Sequence, residues 1–359
     1  MSKIVAIGTA VPKYKTTQNN ILKYMEAAYD SPIAERKLRM LFNHSGIAKR
    51  YSVLNDFDKL SGSTSFFNNN NTQANVAARM QAYNQYALPL AIDAINGALN
   101  DSINSDVITH IITVSCTGLS APGLDTEIID HYKLPKDIFR AAVNFMGCNA
   151  AFQALKIADL IIKSNQRATV LVVCVELCTL HFQPKNNNDN LLSNTIFGDG
   201  AAALIIKSGN IGTNDLKGIS ILNFYSVLLS KGKNLMGWNI NPINFEMILS
   251  AQIPDFIGEE LNEILLKAFS KFAIKANEVN HWAVHPGGKK ILDVIKQQLA
   301  TNVLHASYKV LNDYGNMSSP TILFVLKEML DNNYQKNANI FAIGFGPGLS
   351  IETALFQFS

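Results

Sequence analysis

The chain has 359 residues, 48% hydrophobic and 16% charged, with a net charge of +3, which excludes disorder and gives no electrostatic reason to expect a nucleic-acid partner. That apolar content supports a large core, in two domains or in one duplicated one. No stretch reaches the ~18 apolar residues of a membrane span and the opening apolar run is too short for a secretory signal, so a soluble cytoplasmic protein is expected.

KIVAIGTAVP reads as a buried strand closed by Pro12, and residues 17–42 as mostly helical. Residues 51–75 form an irregular excursion whose Asn run at 68–71 is expected to be a solvated loop, as is the second Asn-rich patch at 184–190. Between them come a helix over 73–100, a strand over 107–118 and a helix over 123–132. Strands over 168–177 and 200–208 follow, and the alternation is that of an α/β domain.

The stretch 141–163, AAVNFMGCNAAFQALKIADLIIK, joins an apolar strand to a helix of small and long apolar residues through Gly147 and Cys148. A thiol at a helix N-terminus meets unpaired N–H groups and a partial positive charge, so its pKa is expected to be lowered. The four cysteines, Cys116, Cys148, Cys174 and Cys178, form neither a disulfide framework nor the paired spacing of a zinc site, and no metal is expected.

The second half repeats the theme: a strand over 218–229, a helix over 254–275, strand HWAVHP at 281–286 and a helix over 288–299. A helix over 316–330 and a strand over 339–358 with a central glycine turn complete the chain. NFMGCNAAFQALKIADLI corresponds to YGNMSSPTILFVLKEML, and ATVLVVCVELC to ANIFAIGFGPG, which implies an internal duplication. Packed face to face, such halves would bring Cys148 and Asn316 to one cavity as helix N-termini. His285, freed at a strand end by Pro286 and two glycines, is the candidate base or donor for a thiol nucleophile, and Asn316 a donor for an oxyanion. Taken singly, a buried His and a helix-opening Asn are more often structural.

GCNAAFQAL around Cys148, WAVHPGG around His285, GNMSSPTILFVL around Asn316, FGDGAAALI at 197–205 and GFGPGLSIET at 344–353 together resemble the chalcone-synthase-like type III polyketide synthases, across nearly the whole chain. The resemblance implies a thiolase fold: an α/β architecture of duplicated αβαβα layers, with the nucleophile in residues 1–210 and the His and Asn in 211–359. It further implies a homodimer, a Cys148-His285-Asn316 triad and no metal or organic cofactor. Malonyl-CoA would extend an acyl starter held on Cys148. Phe197 matches the family's gatekeeper phenylalanine, and Met247 stands where plant members carry a second one, which favours a flexible, medium or long aliphatic starter. Cys116 and Ala121 replace a common Thr and Met, while Cys178, His181, Gly346 and Pro347 match further substrate-binding positions.

For CoA, the resemblance retains Lys37, with Lys289 and Lys290 near the tunnel mouth, but puts Met40 and His44 where plant members have Arg and Lys. Loss of a bidentate phosphate contact leaves room for an acyl-carrier-protein donor. Asn-rich members of the family occur as the terminal domain of fatty-acid-synthase-like megasynthases, although nothing in these residues shows such a fusion. Claisen closure to an acylphloroglucinol, aldol closure to an alkylresorcinol and oxygen attack to a pyrone all remain open. Two other readings compete: a single-round ketoacyl synthase III, and a non-catalytic thiolase-fold acyl-binding subunit.

Overall fold

The computed structural model describes residues 1–29, 31–58, 66–69, 72–99, 104–210, 217–241, 244–299, 304–332 and 334–359. Ser2–Ala10 (β1) leads to Tyr14–Thr17 (β2), then to helices Gln18–Tyr29 (α1) and Pro32–His44 (α2) and to Lys49–Ser52 (β3), which pairs back on β2. The single helical segment expected over 17–42 is two helices. Pro32 disfavours helical geometry in Ser31, and the Ser31 side chain then accepts from the Ala34 N–H to cap the second. Of the Asn run, Asn68–Asn69 (β4) pairs with Thr72–Gln73 (β5), while Asn70 and Asn71 lie outside the described residues.

Val76–Ala98 (α3), His110–Ser115 (β6), Leu124–Tyr132 (α4), Phe139–Asn144 (β7), Ala150–Ser164 (α5) and Val170–Leu177 (β8) follow the expected order. The second Asn-rich patch departs from the solvated-loop expectation. Asn187 accepts from the Asn190 N–H and so caps the helix Asn188–Ile196 (α6), the role for which a short carboxamide is suited. Asp199–Ser208 (β9) and Ile219–Leu228 (β10) come next. Residues 230–253, for which the sequence offers no assignment, hold an antiparallel hairpin, Met236–Ile240 (β11) with Phe245–Leu249 (β12). Ile253–Phe272 (α7), His281–Val284 (β13), Lys289–Gln298 (α8), His305–Tyr314 (α9), Thr321–Asn332 (α10), Asn339–Gly346 (β14) and Ser350–Phe358 (β15) complete the chain.

Nine strands form one sheet in the order β13-β14-β15-β10-β1-β9-β8-β6-β7. The duplication is visible in its pairing. β6 lies parallel to β8, which is antiparallel to β9, itself antiparallel to β1; β13, β14, β15 and β10 repeat that pattern. β1 and β10 then join the two halves.

Side-chain alternation along these strands separates the layers. Val170, Val172 and Cys174 of β8 pack with α5 and α10 in a middle core, whereas Leu171, Val173 and Val175 pack with α3 in an outer one. In the second half Ile340 and Ala342 join the middle core, and Phe341, Ile343 and Phe345 pack outward with α7 and α8. The one continuous sheet, joined through β1 and β10, thus supplies a layer from each half, and helix, sheet, helix, sheet, helix is the stacking order, the thiolase fold. Each buried aliphatic side chain contributes roughly 1.5–3 kcal/mol. The small residues Ala150, Ala151, Ala154 and Ala158 let α5 lie close between sheets.

Candidate active site

Cys148 sits in the turn between β7 and α5 and is 8% exposed. Its loop bends sharply, with φ +58° at Phe145 and +79° at Gly147. Gly147 is required there: a Cβ would stand 2.0 Å from Pro347 Cδ. The Gly147 N–H donates to Cys116 Sγ at 3.0 Å, and the Asn149 carboxamide donates to Ser350 Oγ at 2.9 Å, tying the loop to the second half. α5 begins at Ala150 with Asn149 as its cap, so Cys148 precedes the first turn.

The lowered thiol pKa expected from the helix terminus is not what the structure provides. Burial pushes the Cys148 thiol up to about 11, against weaker opposing hydrogen bonds from Ser318 and Asn316. A terminus one cap away does not compensate for burial of the thiol.

Asn316 also departs from its expected place at a helix start, since α10 begins only at Thr321. Instead it forms a parallel bridge with Phe197, its N–H donating to Ile196 O at 2.9 Å while the Gly198 N–H donates to its carbonyl at 2.9 Å. Its Oδ1 accepts from the Ser318 N–H at 2.8 Å, and Nδ2 faces Gly287 O at 3.4 Å and Cys148 Sγ at 4.0 Å. Ser318, at φ +59°, completes a strained turn of the kind found at working sites. His285 follows β13, with its N–H bound to Ile343 O at 2.8 Å. It is 1% exposed, neither ring nitrogen has a hydrogen-bond partner among the described residues, and burial lowers its pKa to about 3. Its backbone carbonyl accepts from the N–H of Gly287, the residue whose own carbonyl faces Asn316.

Cys148 opens on a chamber with about 790 Å³ of empty volume, its open mouth included. Phe197, Met247, Cys116, Cys178, His181 and Pro347 all line it. Gly346 does not: a Cβ there would strike the Asn149 carboxamide at 2.3 Å, so its role is close packing under the nucleophile loop. His285 and Asn316 lie outside the lining. The basic residues stay on the surface with partners of their own: Lys37 donates to Asn188 Oδ1, and Lys289 and Lys290 pair with Asp293 and Asp255.

Two buried groups went unread in the sequence. Glu176, fully buried in β8, accepts from the Cys116 N–H, Thr117 Oγ1 and Ser319 Oγ, and burial pushes its carboxyl up to about 7. A lone acid within VLVVCVEL was the available signal. Arg50, also buried, lines the chamber and donates to the Asn194 and Phe197 carbonyls, fixing the backbone at Phe197. Among the described residues no helix is long and apolar enough to cross a membrane, and no cluster of three His, Cys, Asp or Glu side chains is placed to hold a metal.

A thiol at a strand-to-helix turn, with a carboxamide from the other half 4.0 Å away and a chamber opening beside it, in this fold, points to the thiolase class of condensing enzyme. Comparison with known families narrows the class. Residues 1–210 match the N-terminal domain, and residues 225–358 the C-terminal domain, of chalcone and stilbene synthases. The chain belongs to this family, the type III polyketide synthases.

Similar proteins include the alpha-pyrone synthesis polyketide synthase-like Pks18 of Mycobacterium tuberculosis, 28% identical over 99% of this chain and 90% of that protein. The probable polyketide synthase 1 of Dictyostelium discoideum is 30% identical over 98% of this chain but 11% of its own length. Among solved structures, PKS-I from the brown alga Ectocarpus siliculosus superposes with a TM-score of 0.91 at 26% identity, covering 100% of this chain and 98% of that one. The C-terminal type III domain of Steely1, a type I/III hybrid from Dictyostelium, also gives 0.91, at 27% identity and 99% coverage of both chains.

Proposed function

We propose that this protein condenses malonyl units repeatedly onto an acyl starter held as a thioester on Cys148, then closes the product ring in the same chamber. The observation that carries the reading is the approach of Asn316 Nδ2 to Cys148 Sγ, from opposite halves of the fold.

In loading, His285 takes the thiol proton, Cys148 sulfur attacks the starter carbonyl, and the CoA or carrier thiolate leaves and is protonated. Malonyl thioester then loses carbon dioxide. The electron pair of the broken C–C bond passes into an enolate, whose oxygen Asn316 Nδ2 and His285 stabilise as donors. Such donors in an enclosed site are each worth roughly 3–4 kcal/mol of barrier. The enolate carbon attacks the acyl carbonyl, the C–S bond breaks, and Cys148 is released as thiolate. No net redox change occurs, so the chain's own donors and the loss of carbon dioxide account for the step. Burial favours neutral thiol and neutral imidazole at rest, so charge appears only when a thioester arrives to receive it.

The starter is a medium or long aliphatic acyl group. Met247, Met25, Phe57 and Phe182 supply an apolar length of chamber wall adaptable to a flexible tail. CoA or an acyl carrier protein delivers it, with surface Lys37, Lys289 and Lys290 as the cations proposed to meet its phosphates. The greater length of the Dictyostelium relative is consistent with a megasynthase setting. The protein works as a homodimer in the cytoplasm. Exposed Leu119, Phe139 and Met146, at and near the free edge strand β7, support an apolar contact there.

Incubation with malonyl-CoA and a graded acyl-CoA series, followed by mass spectrometry, tests the whole. Triketides or tetraketides from aliphatic starters are expected. Linear products of one extension would instead mean a single-round condensing enzyme.

A further inference from the structure

The charge of the chain is unevenly placed. Its first 50 residues hold nine Lys and Arg against three Asp and Glu, a net +6 in a protein whose total is +3. Helix α2 sets out part of that excess in a pattern. It buries Ala34, Leu38 and Phe42 against the molecule. At about 100° of turn per residue, Ile33, Arg36, Lys37, Met40 and His44 share one arc on the opposite side. All five are exposed, and Ile33 at 68% and Met40 at 58% are among the most exposed large apolar side chains described. The one acid of the helix, Glu35, lies off that arc. Arg39, beside it, is taken by Glu26, whereas Arg36 has no ion pair among the described residues and Lys37 donates to the neutral Asn188 Oδ1 at 3.1 Å.

The stripe stands one helix away from the chamber. Lys37 reaches α6, whose Asn190, Ser193 and Asn194 line the chamber wall. Just past the C-terminal end of α2, a Cβ at Gly46 would stand 3.1 Å from the Lys289 side chain, and Lys289 opens α8 four residues after His285. The phosphates of a small thioester would use the cations and leave Ile33 and Met40, about one turn to either side, in water. An acidic amphipathic helix matches both: its carboxylates meet Arg36 and Lys37, and its apolar residues cover Ile33 and Met40. A second copy of the same face does not match, because a self-complementary contact would set like charges together. We propose that the exposed face of α2 docks an acidic helix of an acyl carrier protein, which brings its thioester to the chamber behind. This rests on the polyketide reading above, and names the seat of the carrier where that reading leaves CoA and carrier protein open. Ile33, Arg36 and Met40 recruit the donor and touch no reacting atom.

Arg36→Glu reverses the charge, and the double variant Ile33→Ser/Met40→Ser removes the apolar pair. All three positions are exposed, and Lys37 is left unchanged because it is also assigned to phosphate. The binding probe is a fatty-acid acyl carrier protein in its holo form, titrated calorimetrically into the full chain at low salt. Affinity should fall about tenfold or more in Arg36→Glu and in the double variant, stay within about threefold in Arg36→Lys, and weaken as salt is raised. With the same carrier dodecanoylated and malonyl-CoA present, kcat/KM for the carrier should fall by a similar factor in those two variants. With dodecanoyl-CoA as the starter it should change less than about threefold. No binding of the carrier by wild type, equal binding by Arg36→Glu, or equal losses with both donors would overturn the proposal. So would wild type that ignores the carrier but binds vesicles of phosphatidylglycerol and phosphatidylcholine, with that binding lost in the double variant, since the stripe would then be a membrane face. Carrier binding that is lost in the variants, with no polyketide formed from either donor, would uphold the docking face and overturn the polyketide reading.

Discussion

Asn316 Nδ2 stands 4.0 Å from Cys148 Sγ, although 168 residues separate the two along the chain. The approach depends on backbone rather than on the side chains alone. Asn316 is pinned to Phe197 by a bridge, and Cys148 is raised on a turn only glycine at 147 permits.

Under the proposed roles, Cys148→Ala should abolish polyketide formation while leaving some malonyl-CoA decarboxylation, because the enolate donors remain. Asn316→Ala should do the reverse, loading starter normally and lowering decarboxylation by roughly 10²–10³. Carbon dioxide release and intact-protein mass after acyl-CoA exposure distinguish the two. Equal loss of both activities in both variants would reject the division of labour.

Gly147 gives a stability test near the same site. Alanine there meets both a φ of +79° and Pro347 Cδ at 2.0 Å, so Gly147→Ala should destabilise by at least about 1–3 kcal/mol and slow alkylation of Cys148. Gly288→Ala is the control, since a Cβ there would meet nothing within 4 Å. Calorimetric melting of both proteins checks the contrast, and similar melting points would refute the account of the turn.

Much of this was readable from residues, and the unread part has common causes. Strands such as β8 announce themselves as apolar runs, and Gly147 before Cys148 marks a turn because glycine punctuates the passage from strand to helix. The β11–β12 hairpin was missed because Trp238, Met247 and their neighbours mix polar and apolar residues without a clean period. The cap at Asn187 hid in a tract that composition reads as loop. The direction of the Cys148 shift was beyond reach for a different reason. It is set by burial in the folded chain, whereas local sequence reports only the helix terminus. Gly346 illustrates the same limit: a motif names the residue, but only packing shows that it meets Asn149 and not the chamber.

Glu176 makes stability depend on pH in a stated direction. Burial pushes its carboxyl up to about 7 in the folded chain from the ordinary 4.5, so between those values the folded state binds more protons than the unfolded one. Stability therefore falls as pH rises through that window and levels off above it. Glu176→Gln removes the penalty, roughly 3 kcal/mol at full ionisation. Asp199, pushed up to about 6, has the same sign in both proteins, so the comparison between them isolates Glu176. Urea unfolding at pH 5 and pH 8 should show a smaller pH dependence for the variant; equal dependence would mean Glu176 is not a buried acid.

The apolar end of the chamber decides chain length if the starter is aliphatic. Met25 is 2% exposed on α1 and lines the chamber with Phe57 and Phe182, whereas Met247 lines it from the β12 strand opposite Trp238. A tail that reaches Met25 would be obstructed by Met25→Trp, which adds volume the packed wall cannot absorb. The expected result is a fall of about tenfold or more in kcat/KM for a long-chain acyl-CoA, with a short-chain one changed less than about threefold. Met247→Phe, which adds bulk on the strand paired with Trp238, should penalise both starters. Steady-state kinetics on a starter series checks this, together with melting curves to confirm that the variants are folded. If Met25→Trp treated long and short starters alike, the tail would run elsewhere and the assignment of this wall to the starter would fall.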